Sequence, residues 1–171
     1  ISLATSGLQV ILVEPNADAL AAGLARIRST IDASAAKGRM TAADAAAAIA
    51  RVAGNSDPAA VSDTGLVIEA VFESMAVKRE VFAQLDRICH PGTILASNTS
   101  TLDIDDIASA TTRPGDVVGM HFFSPANIMR LVEIVRGRAT SPSAIAAVQA
   151  LCQRIGKLGI VVGNCFGFVG N

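Results

Sequence analysis

Residues 66–96 read LVIEAVFESMAVKREVFAQLDRICHPGTILA, and the interpretation of the whole chain starts from this stretch. It opens with an apolar run over Leu66–Val71 and closes with a second such run over Thr93–Ala96, each of the length typical of a buried strand. Between them, from Ser74 or Met75 to Cys89, apolar residues recur at helical spacing. Strand, helix and strand in this order are typical of a parallel βαβ unit, in which the helix covers one face of the sheet.

The same alternation continues on both sides of this unit. Further apolar runs predict strands at Leu8–Glu14, Val117–Phe122, Leu131–Val135 and Gly159–Val162. Amphipathic spacing and capping residues predict helices from Ala17 to about Ala35, from the N-cap Thr41 to near Gly54, and from Ser141 to Gly156. The sequence therefore predicts an α/β fold.

Composition limits the classes of function. The chain has 171 residues, a length typical of one domain, and its 14 basic and 15 acidic residues give a net charge of −1. Such a balance argues against nucleic acid as a partner, because nonspecific binding to nucleic acid requires a surplus of positive charge. With 51% hydrophobic and 17% charged residues, we expect a compact core. No apolar run approaches the roughly 20 residues of a membrane helix, so we expect no membrane span.

Cysteines and the amino-terminal stretch indicate the compartment. The three cysteines, at positions 89, 152 and 165, are widely spaced and lack a neighbouring histidine pattern, which favours reduced thiols over disulfides or a metal site. No basic residue precedes the apolar stretch Ile1–Val13, so we predict no export signal. A reducing compartment follows, with the cytoplasm expected and the peroxisome or mitochondrion as alternatives.

Glu14 is the first residue with a possible role in ligand binding. It ends an apolar strand, and Pro15 and Asn16 turn the chain into the next helix. In dinucleotide-binding folds, an acid at the end of the second strand binds the adenosine ribose hydroxyls and selects NAD over NADP; an ordinary solvent-facing carboxylate is the alternative. The glycine-rich turn G-x-G-x-x-G is absent from the chain. In a dinucleotide fold we therefore expect Ile1–Ser6 to end the first helix, with the first strand and the turn upstream.

Ser100, His121 and Glu133 are predicted to lie at or just beyond strand ends, where open α/β sheets bind ligands. A histidine can accept a hydroxyl proton near neutral pH, a carboxylate can fix its tautomer, and a serine can hold the reacting oxygen. A Ser-His-acid hydrolase is the competing enzyme class, but the motif G-x-S-x-G that exposes its nucleophile is absent. His90, in a turn with Pro91, is expected on the surface without a role.

Five motifs in order resemble the NAD-binding domain of L-3-hydroxyacyl-CoA dehydrogenases from end to end. They are IEAVFE (68–73), SNTS (97–100), GMHFFSPA (119–126), LVE (131–133) and GNCFGFVGN (163–171). His121 follows Ser100 by 21 residues and precedes Glu133 by 12, as in that family. The wording of the third and fifth motifs looks most like the dehydrogenase part of multifunctional fatty-acid oxidation enzymes, which also contain an enoyl-CoA hydratase.

The resemblance implies a role for individual residues. His121 matches the catalytic base and Glu133 its carboxylate partner, while Ser100 and Asn171 match residues that bind the substrate oxygen. For the cofactor NAD, the resemblance implies contacts from several residues: Glu14 on the adenosine ribose, Val71, Phe72, Glu73 and Lys78 along the rest of the cofactor, and Ser100 beside the nicotinamide. Ser124, where many members carry asparagine, is also implied near the nicotinamide, with a weaker or water-mediated contact.

The family's properties give the expected fold and function. The resemblance implies a Rossmann-type, doubly wound, mostly parallel sheet that lacks its first strand and glycine-rich turn, and an NAD-dependent oxidation of (3S)-3-hydroxyacyl-CoA to 3-ketoacyl-CoA. We expect residues 1–171 to be an NAD-binding domain without the family's helical C-terminal domain. For the full-length protein we expect a homodimer or a multidomain enzyme. The alternatives are a 3-hydroxybutyryl-CoA dehydrogenase and an inert piece with an incomplete NAD site.

Overall fold

The computed structural model describes all residues, 1–171, and divides them into two compact units, Ile1–Val61 and Ser62–Asn171. Strands and helices alternate in both units. The predicted α/β class is therefore confirmed. No helix combines the length and the hydropathy that crossing a bilayer requires.

The first unit is a short parallel βαβ arrangement. Its helices are α1 (Ser2–Thr5), α2 (Ala17–Ala36) and α3 (Ala42–Ala50), and its strands are β1 (Val10–Val13) and β2 (Val52–Asn55), with a 3-10 turn at Pro58–Val61. The side chain of Asn16 caps α2 and that of Thr41 caps α3, each by accepting an N–H group of the first turn. Ile31 of α2 packs with Ala45 and Ala48 of α3 in a small core.

The predicted end of α3 was wrong. The helix ends at Ala50 rather than near Gly54, and residues 52–55 form β2, which pairs with β1 in parallel register. The reason is close packing that propensity does not reveal. A Cβ at Gly54 would lie 2.7 Å from Leu24 Cδ1 and 3.2 Å from Leu20 Cδ1, so glycine lets α2 pack directly on this strand.

The second unit contains a five-stranded sheet in the order β3-β4-β5-β6-β7. Its elements are β3 (Leu66–Glu69), α4 (Met75–Ile88), β4 (Ile94–Ser97), α5 (Ile104–Ala108), a 3-10 turn (Pro114–Asp116), β5 (Val117–Phe122), β6 (Leu131–Arg136), α6 (Pro142–Arg154) and β7 (Leu158–Gly163). Three neighbouring pairs are parallel and β5–β6 is antiparallel. The mostly parallel, Rossmann-like sheet is therefore confirmed. The five-residue α5 was not predicted, because it is too short to show helical periodicity.

The core of the second unit lies between the central strands and α6. Its fully buried members are Ala96, Val118, Met120, Val132, Ile134, Val148 and Cys152. A Cβ at Gly159 would lie 2.9 Å from Ile134 Cδ1 and 3.0 Å from Cys152 Cβ, so glycine allows α6 to approach β7 closely. Cys89 is also buried, whereas Cys165 is exposed.

Arg113 closes the C-terminal end of α4. Its guanidinium donates from Nε to Asp86 Oδ1 at 3.0 Å and from Nη2 to the carbonyl oxygens of Asp86 and Cys89 at 3.2 and 3.0 Å. The last carbonyls of a helix have no partner within the helix. One half-buried side chain therefore satisfies several of them and ties α4 to the chain before β5.

We expect Arg113→Ala to lower the free energy of unfolding by about 2 kcal/mol, because hydrogen bonds to charged groups are worth roughly 1.5–3 kcal/mol each. Urea unfolding followed by circular dichroism measures the change. The matched control is Arg87→Ala, which removes an exposed arginine from the last turn of α4. It is expected to change stability by less than about 0.5 kcal/mol. Equal effects of the two substitutions would contradict the capping role.

Candidate active site

His121 and Glu133 form a buried pair in the sheet of the second unit. They are opposite residues of the antiparallel pair β5–β6, so their side chains lie on the same face. His121 Nδ1 is 2.9 Å from Glu133 Oε2, and both residues are buried. The structure thus brings together the predicted base and its carboxylate partner, with His121 one residue before the end of β5 and Glu133 at the third position of β6.

The second carboxylate oxygen of Glu133 accepts two main-chain hydrogen bonds. Val169 N–H donates to Oε1 at 3.0 Å and Gly170 N–H at 2.9 Å. Gly167 (φ 73°) and Phe168 (φ 54°) both have left-handed backbone, and this turn directs two successive N–H groups at one oxygen. A Cβ at Gly170 would lie 2.9 Å from Phe123 Cε1, so the approach requires glycine.

Two aromatic rings enclose the imidazole. The centroid of the Phe123 ring lies 4.6 Å from that of His121, and the centroid of the buried Phe168 ring lies 5.8 Å away. Apolar walls exclude water and lower the local dielectric constant, which strengthens the interaction between imidazole and carboxylate. The pair is therefore enclosed as well as hydrogen-bonded.

The segment that supplies Val169 and Gly170 is anchored at its other end by Asn164. Its amide donates to Asp103 Oδ1 at 2.6 Å and to Asp105 Oδ2 at 3.0 Å, and its Oδ1 accepts Ile104 N–H. The hydrogen bond from Asn164 holds the pKa of Asp103 below its usual value. An open cleft of about 610 Å³ beside this cluster does not include the buried pair. Its acidic groups are already paired, so we interpret the cluster as an anchor.

Ser100, Glu73 and Asn171 also come together. Glu73 Oε1 accepts Ser100 N–H at 2.8 Å, the Ser100 hydroxyl at 3.2 Å and the Thr99 hydroxyl at 2.6 Å. Asn171 Nδ2 donates to the carbonyl oxygen of Ser100 at 3.0 Å. The loop after β4 is thus fixed from one side by a carboxylate and from the other by the last residue of the chain.

Lys78 lies inside the second unit rather than at its surface. Its side chain is 1% exposed, and Nζ is 2.7 Å from Glu69 Oε1 and 3.3 Å from Glu73 Oε2. Glu69, at the end of β3, also accepts the Ser97 hydroxyl and Val71 N–H. The role of Lys78 in cofactor binding remains a prediction, and its contacts suggest that it acts by holding Glu73.

The remaining predicted residues are accessible. Val71 and Phe72 follow β3, and the Phe72 side chain is 81% exposed. Ser124 is exposed after β5. Glu14 belongs to the first unit, where its Oε1 accepts Asn16 N–H at 2.9 Å. His90 lies on the surface as expected, paired with Asp63.

Sequence reasoning missed several groups that build this site. Glu69 was overlooked, although a carboxylate within the apolar run 66–71 was a usable signal of a buried ion pair. Asn98 was not assigned a role, yet its Oδ1 accepts Phe122 N–H at 2.9 Å and fixes the residue next to His121. The donors at Val169 and Gly170 are main-chain groups, which leave no signal in side-chain identity.

The electrostatics of Glu73 give a test of this network. Partial burial acts to raise the pKa of Glu73, but hydrogen bonds from Thr99 and Ser100 and the charge of Lys78 outweigh it, so the pKa lies below its usual value. A carboxylate with a lowered pKa stabilises the fold fully above the ordinary glutamate value of 4.5. That stabilisation disappears as the pH falls through the lower pKa of the folded state.

We therefore expect Glu73→Gln to reduce the free energy of unfolding at pH 7 and to have a smaller effect at a second pH below 4.5, where the stabilisation from the ionised carboxylate declines. Urea unfolding of both proteins at the two pH values measures this. Glu80→Gln, an exposed position in α4, is the control, and no pH-dependent difference is expected for it. A Glu73→Gln effect that is the same at both pH values would contradict the ionic role.

Comparison with known proteins places this geometry in a family. Residues 1–165 match the family model of the 3-hydroxyacyl-CoA dehydrogenase NAD-binding domain. A peroxisomal bifunctional enzyme of Pongo abelii is 58% identical over 106 residues, which is 62% of this chain and 15% of that protein. A Bacillus subtilis protein, named as a probable 3-hydroxybutyryl-CoA dehydrogenase, is 42% identical over 98% of this chain and 58% of its own length.

The comparison with solved structures points to the same family. The crystal structure of the (S)-3-hydroxybutyryl-CoA dehydrogenase of Ralstonia eutropha matches with a TM-score of 0.97 and 39% identity, over 99% of this chain and 60% of that one. The chain thus spans at most about three fifths of the length of these relatives. NAD is the cofactor expected from the matching model. The chain belongs to the family of 3-hydroxyacyl-CoA dehydrogenase NAD-binding domains.

Proposed function

We propose that the protein containing this chain oxidises (3S)-3-hydroxyacyl-CoA to 3-ketoacyl-CoA with NAD, as a step of fatty-acid β-oxidation. The observation that carries the proposal is the buried pair of His121 and Glu133, 2.9 Å apart. An oxidation of this kind needs a base for the hydroxyl proton and an acceptor for the hydride. The pair supplies the base.

The proton moves to the nitrogen of His121 that Glu133 does not occupy. When Nδ1–H donates to Glu133 Oε2, the other ring nitrogen, Nε2, is unprotonated and can accept the substrate proton. The carboxylate then stabilises the imidazolium that forms. The donors from Val169 and Gly170 hold Glu133 in place during this step.

Ser100 and Asn171 are proposed to position the substrate oxygen. They are linked to each other by the hydrogen bond from Asn171 Nδ2 to the Ser100 carbonyl. The Ser100 hydroxyl donates to Glu73, which leaves its oxygen lone pairs to accept another hydrogen bond. Positioning of the carbon and exclusion of water are then the tasks left to the protein.

The residues present fit NAD. Val71, Phe72 and Glu73 are exposed at the carboxyl end of β3, and Ser100 follows the neighbouring β4, where α/β sheets bind nucleotides. Ser124 is exposed after β5, and Glu14 directly follows β1 of the first unit with a carboxylate suited to ribose hydroxyls. We propose that Val71, Phe72, Glu73, Ser100 and Ser124, all of the second unit, hold the cofactor. When bound, NAD supplies the hydride acceptor.

In the full-length protein, we expect His121→Ala to lower kcat by at least about 10²-fold, because a positioned general base contributes roughly 10²–10⁴ in rate. NADH affinity, measured by fluorescence titration, is expected to stay nearly unchanged. His90→Ala, which removes an exposed histidine, is the control and is expected to retain activity. Wild-type turnover by the His121 variant would refute the role of the base.

A 3-hydroxybutyryl-CoA dehydrogenase is the second candidate function. It is favoured by the 42% identity to the Bacillus subtilis relative over 98% of this chain. Both candidate functions use the pair of His121 and Glu133, and they differ in the acyl chain length of the substrate.

A series of 3-hydroxyacyl-CoA substrates distinguishes the two. For the β-oxidation enzyme we expect kcat/KM to stay constant or rise with chain length, because each added methylene that is buried contributes about 0.8 kcal/mol. A steady fall of kcat/KM beyond four carbons would favour the short-chain enzyme. Activity towards none of the substrates would overturn both.

We also propose a homodimeric or multidomain assembly for the whole protein. The chain covers only 15% of one relative, whose name describes a bifunctional enzyme. The buried cysteines Cys89 and Cys152 are compatible with a reducing compartment. We propose the cytoplasm, with the peroxisome named for that relative as the alternative.

A further inference from the structure

Lys157 is a buried cation that the proposed reaction does not use. It lies between α6 and β7, and its ammonium donates to the carbonyl oxygens of Ala126 and Met129. None of the ion pairs of the chain involves Lys157. Burial lowers its pKa below the usual value for lysine. A charge without a carboxylate partner is costly to bury. The burial of Lys157 therefore needs an explanation, and its two hydrogen bonds to carbonyl groups are the place to look for one.

Both carbonyls belong to residues 124–130, the exposed part of the link between β5 and β6, hereafter the β5–β6 connection. All seven of its residues are exposed, so hydrophobic burial contributes little to its position. The N–H groups of Ile128 and Met129 both donate to Pro125, which closes a turn within the connection without tying it to the sheet. Leu158 N–H fixes only its last residue, Arg130. The ammonium of Lys157 therefore ties the middle of the connection to the rest of the second unit.

The connection joins the two halves of the catalytic pair. It begins three residues after His121 and ends three residues before Glu133. Its first residue, Ser124, is among those proposed to bind NAD. The residue before it, Phe123, packs against the imidazole with ring centroids 4.6 Å apart. A displacement of the connection would therefore move a cofactor contact and one wall of the histidine pocket.

We propose that Lys157 is a positioning residue that clamps the β5–β6 connection and thereby sets Ser124 and Phe123 against NAD and His121. The proposal rests on the proposed function for its catalytic consequence. Its structural part, the clamp, stands on the two hydrogen bonds alone. A lysine suits this task because its compact ammonium offers three donors, which can bind two carbonyls at once.

Hydrogen–deuterium exchange of the wild-type protein tests the clamp without any substitution. We expect the N–H groups of Ile128 and Met129 to be protected to a degree similar to those of β5 and β6, although they lie in an exposed connection. Exchange at the rate of an unstructured peptide would overturn the proposal.

Three variants then test the role in the full-length protein. In Lys157→Met, the loss of two charge-assisted hydrogen bonds is expected to speed exchange at Ile128 and Met129 at least about tenfold, with the β5 and β6 amides unchanged. kcat/KM for NAD is expected to fall at least about fivefold, since Ser124 and Phe123 are no longer held. Lys157→Arg, which keeps the charge and the donors, is expected to recover most of both losses, and the exposed Lys37→Met is the control.

The outcomes separate the clamp from other roles. Faster exchange throughout β5 and β6 in Lys157→Met would assign the residue a general structural role and overturn the proposal, as would wild-type kcat/KM in that variant. If Lys157→Met does not fold, the wild-type exchange and the recovery in Lys157→Arg still decide. A wild-type protein without dehydrogenase activity would refute the proposed function, while protected amides at Ile128 and Met129 would still support the clamp.

Discussion

The direction of one strand brings the buried pair of His121 and Glu133 together. β6 runs against β5 in a sheet whose other neighbours are parallel, so the eight residues 123–130 suffice to join them, where parallel strands would need a long crossover. Two residues only twelve apart in sequence, His121 and Glu133, thereby become direct neighbours on one face. Because side chains alternate between faces, a shift of register by one residue would separate them entirely.

Two carboxylates join parts of the second unit that are distant in sequence. Glu133 binds the main chain at Val169 and Gly170, whereas Glu73 binds the loop at Thr99 and Ser100 and is paired with Lys78. Neither carboxylate hydrogen-bonds the other, so each is satisfied by its own donors. Glu133 and Glu73 can therefore be altered separately.

The sequence predicted the parts of the fold that rest on apolar periodicity. Long amphipathic helices such as α2 and α4, and strands such as β5, appear within a residue or two of their expected bounds. The strand β2 was not predicted, because Val-Ala-Gly-Asn has little β-propensity and the position of the strand is set by contact with Leu20 and Leu24.

For the site, residue spacing predicted the His121 and Glu133 pair, and the family resemblance supplied the roles proposed for Ser100 and Asn171. The contact between Glu73 and the Ser100 loop depends on atoms 27 positions apart, and no local pattern encodes it. The two main-chain donors to Glu133 were equally hidden, because they depend on the left-handed turn at Gly167 and Phe168. The enclosed position of Lys78 follows from tertiary packing rather than from its surroundings in the sequence.

Peptide groups rather than side chains orient Glu133, and this affects how freely the neighbouring positions can vary during evolution. Every residue except proline offers an N–H group, so the exposed Val169 can be exchanged for many others while the acid keeps its donor. Gly170 has no such latitude, since any β-carbon there would collide with Phe123. We therefore expect position 169 to vary among related sequences and position 170 to remain glycine.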